Sequence, residues 1–408
     1  MQIGANPVLP PLQQYLMPPM RIAKVVGWGK DETPAVAQGL QVHALATGFQ
    51  HPRSLYVLPN GDVLVVESNG PKAPIDRPKD IITGWVQGFA GAKAKDANRI
   101  TLLRDTNGDG IPELRTTFLD HLNSPFGVAL VGNDLYVANT DAIVRYPYQE
   151  GQTSITAPGT KLTDLPGGPI DHHWTKSLLA SPDGAKLYVG VGSNSNITEN
   201  GIQAEYERAA IWEVDRASGA HRIFASGLRN PVGLAWEPRT GVLWTVVNER
   251  DGLGDETPPD YLTSVRDGGF YGWPYCYWGQ TVDDRVPQDP AAVAKAITPD
   301  YALGGHTASL GLCWLPAGTL PGFPDGMAIG QHGSWNRSTL SGYKVVFVPF
   351  ANGHPAGPPR DILTGFLAPD ERVSYGRPVG VTLGPDGSVL VADDVGDVIW
   401  RVTGERQG

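Results

Sequence analysis

The chain of 408 residues has little cysteine and no long apolar run, and each shortage excludes a class of protein. Its two cysteines, Cys276 and Cys313, form no CxxC or CxxCH motif, which excludes a zinc ribbon, a thioredoxin-type site and attached c-type haem. The two residues are either buried thiols or, in an oxidising compartment, a disulfide. No stretch approaches the ~18 apolar residues that span a bilayer, so no membrane span is predicted.

Charge is also scarce, at 18% of residues, with a formal net charge of −10. No run of like charges concentrates it, which predicts an acidic, solvated surface. No basic stripe is present, so nucleic acid is not a predicted partner. The first 20 residues are rich in proline and lack a basic region followed by an apolar one, so they do not match a signal peptide as they stand.

Glycine and proline are abundant instead. The 51 glycines and 36 prolines make up about a fifth of the chain, compared with ~12% in average proteins. Such dense breakers exclude helical bundles and coiled coils, and the absence of a period of three excludes collagen. Since 41% of the residues are hydrophobic, a core is available. The composition therefore predicts a turn-rich β protein.

One sequence pattern recurs six times: a proline or small residue, an apolar pair around glycine, a turn, and a valine-rich strand. The copies begin at residues 52, 125, 174, 231, 309 and 378. Turns such as PNG and PDG inside the copies predict β-hairpins. Several copies continue with a third strand, and a fourth leads into the next copy. Four short strands per repeat predict an all-β fold, a six-bladed β-propeller of four-stranded antiparallel blades.

The two ends of the chain predict how the ring closes. The segment from residue 42 resembles a fourth strand without the first three, whereas residues 378–404 supply three strands without a fourth. We expect the N-terminal strand to complete the last blade. Residues 42–408 are then a single propeller domain, and residues 1–41 an extended, proline-rich segment that packs on it.

Polar residues concentrate in the loops that a propeller brings to one face. The fourth-to-first and second-to-third connections share that face, so residues distant in sequence can form one site. An Asn or Asp in a loop, taken alone, usually caps a turn, but convergence favours a site. Arg229 and Arg377 beside His173 would suit an anion with planar carboxylates. Asp394 and Glu67 would orient an arginine or help to hold a hard cation.

A second candidate site is the segment 105–113, DTNGDGIPE. Its oxygen-bearing residues have the spacing of a calcium loop: Asp105, Asn107, Asp109 and Glu113. The segment departs from the EF-hand in length and has no flanking helix pattern. A structural Ca²⁺ and a plain Asx-rich turn both remain open.

Four segments resemble the soluble glucose/sorbosone dehydrogenases that depend on pyrroloquinoline quinone (PQQ), and the sorbosone branch most. The segments are 171–196, 227–238, 268–279 and 375–387. They include GLRNPxG followed by GGxYGWP, and the resemblance extends over about residues 42–404. It implies a six-bladed propeller that holds PQQ next to Ca²⁺ in the central channel.

The resemblance also implies roles for individual residues. His173 would be the general base that takes the proton from the sugar hydroxyl while hydride passes to the quinone. Arg229 would stabilise negative charge on the quinone oxygen. The backbone carbonyls of Arg250 and Asp251 would bind the cofactor calcium. The full set of implied cofactor contacts is Asn123, Arg229, Asn230, Arg337, Arg377 and Asp394.

The sequence departs from the family at three of these places. Arg250–Asp251 replaces the usual Gly-Pro dipeptide at the calcium position. Trp174 follows His173 in place of a small polar residue and should narrow the pocket. The family's cofactor lysine has no clear match, and Arg337 is preferred to Lys344 for that role.

The predicted function is a PQQ- and Ca²⁺-dependent dehydrogenase that oxidises an aldose or a sorbosone-like aldosulose to a lactone or acid. Because no haem motif is encoded, the electrons would go to an external acceptor, a quinone or cytochrome. The resemblance implies a periplasmic or secreted protein, and the chain is expected to be a monomer or homodimer.

Two alternatives stay open at this stage. One is a calcium-dependent lactonase-type hydrolase, its ion held by the side chains of Glu67, Asn139, Asn230 and Asp394. The other is a non-catalytic binding propeller, since fold does not imply function. Arg229 and Arg377 favour the quinone enzyme, because cations would weaken a lone calcium site.

Overall fold

The computed structural model describes residues 2–13, 19–71, 97–168 and 171–405, which fold into six blade-like sheets around a common axis. The innermost strand of each blade contacts that of the next, and the last contacts the first. The predicted six-bladed propeller is therefore confirmed. Residues 1 and 14–18 of the predicted N-terminal segment, and 406–408 at the other end, lie outside the described residues.

Each blade is a four-stranded antiparallel meander, numbered here from its innermost strand outwards. Blade one contains Pro52–Val57, Val63–Glu67, Arg99–Arg104 and Leu114–Leu119; blade two contains Gly127–Val131, Asp134–Ala138, Ala142–Pro147 and Thr160–Asp164; blade three contains Lys176–Ala180, Lys186–Val191, Ala210–Asp215 and His221–Ser226. Blade four contains Pro231–Glu237, Val242–Val247, Pro259–Ser264 and Tyr301–Gly305; blade five contains Ser309–Leu315, Gly326–Gln331, Lys344–Ala351 and Arg360–Thr364; blade six contains Pro378–Leu383, Val389–Asp393, Val398–Gly404 and Leu40–Thr47.

The ring closes through the N-terminal strand, as predicted. Leu40–Thr47 pairs antiparallel with Val398–Gly404, in a register that joins Leu40 to Gly404 and Thr47 to Val398. The strand begins at Leu40, two residues before the predicted boundary at 42. Blade six is thus built from both ends of the chain.

Two blades carry an extra outer strand that the repeat pattern does not predict. Gly269–Phe270 pairs in parallel with the outer strand of blade three, and Ala35–Val36 pairs antiparallel with that of blade five. The remaining short elements are listed together: strands Lys24–Val25, Cys276–Tyr277, Thr281–Val282, His354–Pro355 and Val373–Ser374, 3-10 helix Ile202–Glu205, and α-helix Pro290–Lys295. No described helix has the length and apolarity to cross a membrane.

The segment before the ring-closing strand packs against blades five and six. Trp28 donates its indole N–H to Asp393 Oδ2 at 2.7 Å. Its ring meets those of Phe366 and Trp400 edge-on, with centroids 5.5 Å and 5.2 Å away. Aromatic pairs of this geometry add to area burial, so Trp28 anchors the N-terminal segment to the propeller.

The glycine of the repeated apolar-glycine pair permits close approach between neighbouring innermost strands. A Cβ on Gly311 would lie 2.1 Å from the Val379 carbonyl oxygen, and one on Gly127 would lie 2.4 Å from the Leu178 nitrogen. Real Cβ atoms do not come this close to backbone. These positions therefore accept glycine because the next blade occupies the space of a side chain.

The apolar residue before each such glycine turns towards the axis. Side chains from four blades pack together there, with Trp174 against them, and form what we call the channel floor: Phe126, Val232, Leu310 and Val379. Blades one and three depart from this pattern, because Arg53 and Lys176 stand at the equivalent repeat positions. Both side chains are nevertheless buried.

The two cysteines are free thiols, Cys276 buried and Cys313 half-buried. Burial raises the pKa of the Cys276 thiol to about 11 and that of Cys313 to about 12. Of the two alternatives left open by the sequence, the structure shows thiols, which the raised pKa values keep protonated and unreactive.

We predict that Leu40→Ala destabilises the propeller, because Leu40 is 2% exposed and packs in the core of blades five and six. Truncating such a buried leucine costs about 2–5 kcal/mol of the free energy of unfolding. Thermal and urea unfolding measure the loss. Leu12→Ala, at a site with 42% exposure, is the matched control and should stay close to the original stability; equal losses would contradict the assignment of Leu40 to ring closure.

Candidate active site

The start of each innermost strand lies opposite the end of the second strand of the same blade. Lys176 pairs with Val191 in blade three, and Pro231 with Val247 in blade four. The loops before the first strands and after the second strands therefore meet on one face. The channel floor lies at the beginning of the innermost strands, so these loops surround a space with an apolar base.

His173 lies in the loop before blade three and is fixed by one ring nitrogen. Its Nδ1 is 2.9 Å from the Ser193 carbonyl oxygen, a contact that requires the proton on Nδ1 and leaves the lone pair on Nε2. No described group hydrogen-bonds to that Nε2. Burial, Arg229 and His172 hold the pKa of His173 well below its usual value. The imidazole is therefore neutral at physiological pH and can accept a proton.

Gly192 brings His173 and Asn230 together. A Cβ at Gly192 would lie 2.4 Å from both Asn230 Oδ1 and His173 Cβ. The Asn230 Oδ1 is buried and has no hydrogen-bond partner among the described residues. A buried polar atom without a partner is costly, so Asn230 is suited to bind a ligand that supplies a donor.

Arg229 is buried on the blade-four side and is held mainly by carbonyl oxygens. Its Nη1 donates to the Glu249 carbonyl at 2.7 Å, and its Nε to the Asn196 carbonyl at 3.2 Å. Its Nη2 donates to Asn196 Oδ1 at 3.0 Å, and the nearest carboxylate, of Asp251, is 3.9 Å away. The hydrogen bonds of the guanidinium are thus made to neutral groups, and its one ion pair, with Asp251, is long.

The Asp251 side chain faces the same space as Arg229. Its Oδ1 accepts from Asn336 Nδ2 at 2.7 Å and lies 3.3 Å from His306 Nδ1. Burial lowers the pKa of His306, but the Asp251 carboxylate outweighs burial, and the net shift is upward. These contacts fix the second-to-third loops of blades four and five beside each other.

Of the two carbonyls predicted to bind calcium, that of Asp251 is already bonded to protein donors. The Asp251 carbonyl oxygen accepts from Arg250 Nε at 3.0 Å, from Arg250 Nη2 at 2.9 Å and from Asn196 Nδ2 at 3.2 Å. The same guanidinium pairs with Asp283 through Nη1. As arranged here, this carbonyl does not fit the role of a Ca²⁺ ligand, and the metal role of Arg250 and Asp251 stays a prediction.

Arg377 lies in the loop before blade six, two residues before Val379 of the channel floor. Its Nε donates to the His332 carbonyl at 2.9 Å and its Nη2 to the Gly333 carbonyl at 2.7 Å. The Arg377 residue is 7% exposed. Among the described residues, no carboxylate lies within ion-pair distance of its guanidinium. Arg377 is a second buried cation held by neutral groups.

Asp394, fully buried, binds three basic side chains with one oxygen. Its Oδ2 lies 2.5 Å from Arg53 Nη1, 2.8 Å from His332 Nε2 and 3.3 Å from His51 Nε2. The other ring nitrogen of His51 contacts the Ser68 carbonyl oxygen at 2.8 Å. The acidic partner implied by the resemblance therefore binds Arg53 and two histidines, not Arg377.

The pKa values of this cluster follow from burial and from its basic groups. Burial alone would raise the pKa of Asp394, but His332, His51 and Arg53 outweigh it and keep the carboxyl ionised. Burial, followed by Arg377, lowers the pKa of His332 to about 3. His332 thus acts as a neutral donor to an ionised carboxylate, whereas the Nδ1 of His51 contacts the Ser68 carbonyl.

Two further predicted cofactor contacts have other positions. Asn123 is exposed, and its backbone N–H donates to Asn139 Oδ1 at 3.3 Å. Arg337 donates to the Gly305 and Thr339 carbonyls, each at 2.8 Å, and pairs with Glu256. All three guanidinium nitrogens of Arg337 have partners. The cofactor roles of Asn123 and Arg337 remain predictions.

The calcium-loop candidate lies at the outer hairpin of blade one, away from this face. Asp105, Asp109 and Glu113 are exposed and place carboxylate oxygens within 4.8 Å of one another. Asp105 also caps the turn, accepting from the backbone N–H groups of Gly108 and Gly110 at 2.6 Å each. Asn107 donates to Glu113 Oε1 at 2.5 Å. Both alternatives, a Ca²⁺ site and an Asx-rich turn, remain open.

Arg53 and His332 are the site residues that sequence reasoning did not single out. His332 belonged to a loop expected on this face. The sequence does mark Arg53 as unusual, because a cation stands where four of the six repeats have an apolar residue. Its pairing with Asp394, 341 positions away, follows only from the closed ring.

The chain belongs to the TrAA12-like family, whose model matches residues 95–405. An uncharacterized protein of Borreliella burgdorferi is 29% identical over 301 residues, which cover 71% of this chain and 78% of that protein. The pyrroloquinoline quinone-dependent sugar dehydrogenase of Hypocrea jecorina is 23% identical over 269 residues, which cover 60% of this chain and 57% of the relative. The chain thus spans little more than half the length of that dehydrogenase.

The fold is shared with a solved PQQ domain. The holo form of the pyranose dehydrogenase PQQ domain from Coprinopsis cinerea superposes with a TM-score of 0.74 at 21% identity, covering 93% of this chain and 99% of that domain. The resemblance to PQQ-dependent sugar dehydrogenases is confirmed at the level of the family, whereas the sorbosone branch stays a prediction.

The shifted pKa of His332 predicts acid sensitivity. An unfolded histidine titrates near pH 6.5, whereas folded His332 titrates at about 3. Between these values the unfolded chain binds the extra proton, so stability is lost as pH falls from about 6.5. In His332→Asn, unfolding temperature measured from pH 7 to pH 4 should fall less steeply. Parallel curves would show that His332 is not held neutral.

Proposed function

We propose that this protein is a PQQ-dependent dehydrogenase that oxidises a hydroxyl-bearing carbon of a sugar and passes the electrons to an external acceptor. The observation that carries the proposal is the pair of buried arginines, Arg229 and Arg377, which lie in the loops before blades four and six and are held by carbonyl groups. Arg377 has no described carboxylate within ion-pair distance, and the one carboxylate near Arg229 is 3.9 Å away, so these buried cations favour an anionic ligand. The base His173 lies beside one of them.

The residues on this face fit a planar ligand with several carboxylates. Arg229 and Arg377 supply charge-assisted donors, and Asn230 supplies a buried oxygen that lacks a donor. The apolar channel floor and Trp174 supply a dry base for an aromatic system. These residues would hold PQQ, which supplies a two-electron acceptor for hydride when bound.

The chain's own contribution to the reaction is a positioned base. His173 Nε2, with its lone pair, would accept the proton of the sugar hydroxyl as the adjacent C–H bond loses hydride. Ser193 keeps the Nδ1 proton in place, so the ring does not present the wrong nitrogen. The nearby charge of Arg229 would stabilise negative charge that develops on the reacting oxygens.

The lactonase alternative finds less support in the site. Arg99 binds both oxygens of Glu67, at 2.9 Å and 3.0 Å, and Arg53 binds Asp394. Carboxylates neutralised by arginine are poor ligands for an axial calcium ion. Calcium dependence of the dehydrogenase stays part of the proposal. Aldose or aldosulose substrates and a periplasmic or secreted location are likewise proposed from the resemblance.

The proposal is tested by titrating the protein with PQQ, with Ca²⁺ and with a chelator, and by following the PQQ absorption spectrum. Arg377→Gln should weaken PQQ binding about 10–100-fold, since a charged hydrogen bond contributes about 1.5–3 kcal/mol. Arg372→Gln is the matched control, because its side chain is 84% exposed. Failure of the original protein to bind PQQ under either condition would refute the proposal.

A separate prediction concerns the base. His173→Ala should lower kcat for sugar oxidation by about 10²–10⁴-fold, the usual contribution of general base catalysis, and should leave PQQ affinity nearly unchanged. Reduction of an artificial dye with a panel of aldoses measures kcat. The control is His121→Ala, in the equivalent loop before blade two, where the imidazole is 94% exposed. Full activity of His173→Ala would show that His173 is not the general base.

A further inference from the structure

Lys176 is a buried cation at a position where the fold does not require one. Four of the six repeats place an apolar residue there, in the channel floor, whereas Lys176 is 0% exposed. Burial is the main cause that lowers its pKa, to about 8, and the Asp171 carboxylate opposes the shift. Burying an ammonium group costs desolvation free energy, so we expect Lys176 to have a role other than packing.

The ammonium contacts both ends of the turn that carries the proposed base. Lys176 Nζ lies 3.3 Å from Asp171 Oδ2, before the turn, and donates to the Trp174 carbonyl at 3.2 Å, after the base. Thr140 of blade two repeats this arrangement, because its hydroxyl lies 2.7 Å from Asp171 Oδ2 and 3.0 Å from the Trp174 carbonyl. The ammonium can donate to both acceptors at once, whereas the single hydroxyl proton of Thr140 goes to one of them at a time.

Arg208 completes the set from the other side. Its Nη1 donates to Asp171 Oδ1 at 2.8 Å, and both side chains are almost wholly buried. Asp171 therefore has a donor on each oxygen. His173 in contrast has one fixed nitrogen, Nδ1, and its orientation depends on where the backbone of residues 171–174 is held.

We infer that Lys176, together with Thr140, is a positioning residue that clamps the Asp171–Trp174 turn and so fixes the direction of His173 Nε2. The inference rests on the proposed function, because it takes His173 as the base. The clamp makes no contact with substrate. Its effect is that the ring of His173 keeps its Nδ1–H on Ser193 and presents the lone pair to the open face.

The test replaces Lys176 by an apolar side chain, which is what four other blades carry at the equivalent position. Lys176→Met should fold, because methionine suits the apolar floor, and should lower kcat about tenfold while PQQ affinity changes less than threefold. Nitrogen-correlated NMR of the histidine rings, without cofactor, should change from the single Nδ1–H tautomer of His173 to a mixture. Lys186→Met is the matched control, since Lys186 in the next strand pairs with Asp215 at the surface, at 2.8 Å.

The NMR measurement tests the positioning role of Lys176 separately from the proposed function. If the original protein fails to bind PQQ but Lys176→Met still alters the His173 tautomer, the proposed function fails and the clamp stands. An unchanged tautomer together with an unchanged kcat would overturn the clamp. Should Lys176→Met not fold, Thr140→Val removes the second donor without removing a charge, and it is judged by the same two readouts.

Discussion

The close approach of the six innermost strands is the constraint on which the rest of this molecule depends. At Gly311 the space of a side chain is filled by the carbonyl of the next blade. This proximity lets the preceding residues meet at the axis, where they form the channel floor. A site among the loops before the innermost strands then has a closed, apolar base. This base shields the buried charges next to it from water on one side.

Charge is distributed on this face in two ways. Asp394 and Asp171 are each bound by several basic groups and so organise loops, with a donor on both oxygens of Asp171 but only on Oδ2 of Asp394. Arg229 and Arg377 are bound mainly by carbonyl oxygens and keep their charge for a ligand. The distinction explains why a face with many acidic residues can still attract an anion. It also separates the residues that hold the loops of the site in place from the residues that would bind the ligand.

The sequence predicts the architecture well, because local turn and strand patterns are enough to identify the repeat. The six copies and their hairpins follow from the recurring pattern, and the closing strand follows from the strands that the first and last copies lack. The site is predicted in part: His173, Arg229 and Asn230 do lie together, since the RNP and HHW loops precede adjacent blades. The contacts of Arg337, Asp251 and Arg53 could not be predicted. They depend on side-chain directions between loops of different blades, which no local pattern encodes.

The pairing of Leu40–Thr47 with Val398–Gly404 has a consequence for biosynthesis. Leu40–Thr47 is the first blade strand in sequence order, and the strand with which it pairs is made about 360 residues later. At roughly 5–20 residues per second this interval is on the order of 20–70 s. Throughout that time the strand lacks its antiparallel neighbour, although Leu45 and Thr47 already have native contacts available in blade one. A nascent chain of this design therefore exposes one backbone edge of this strand until Val398–Gly404 has been made.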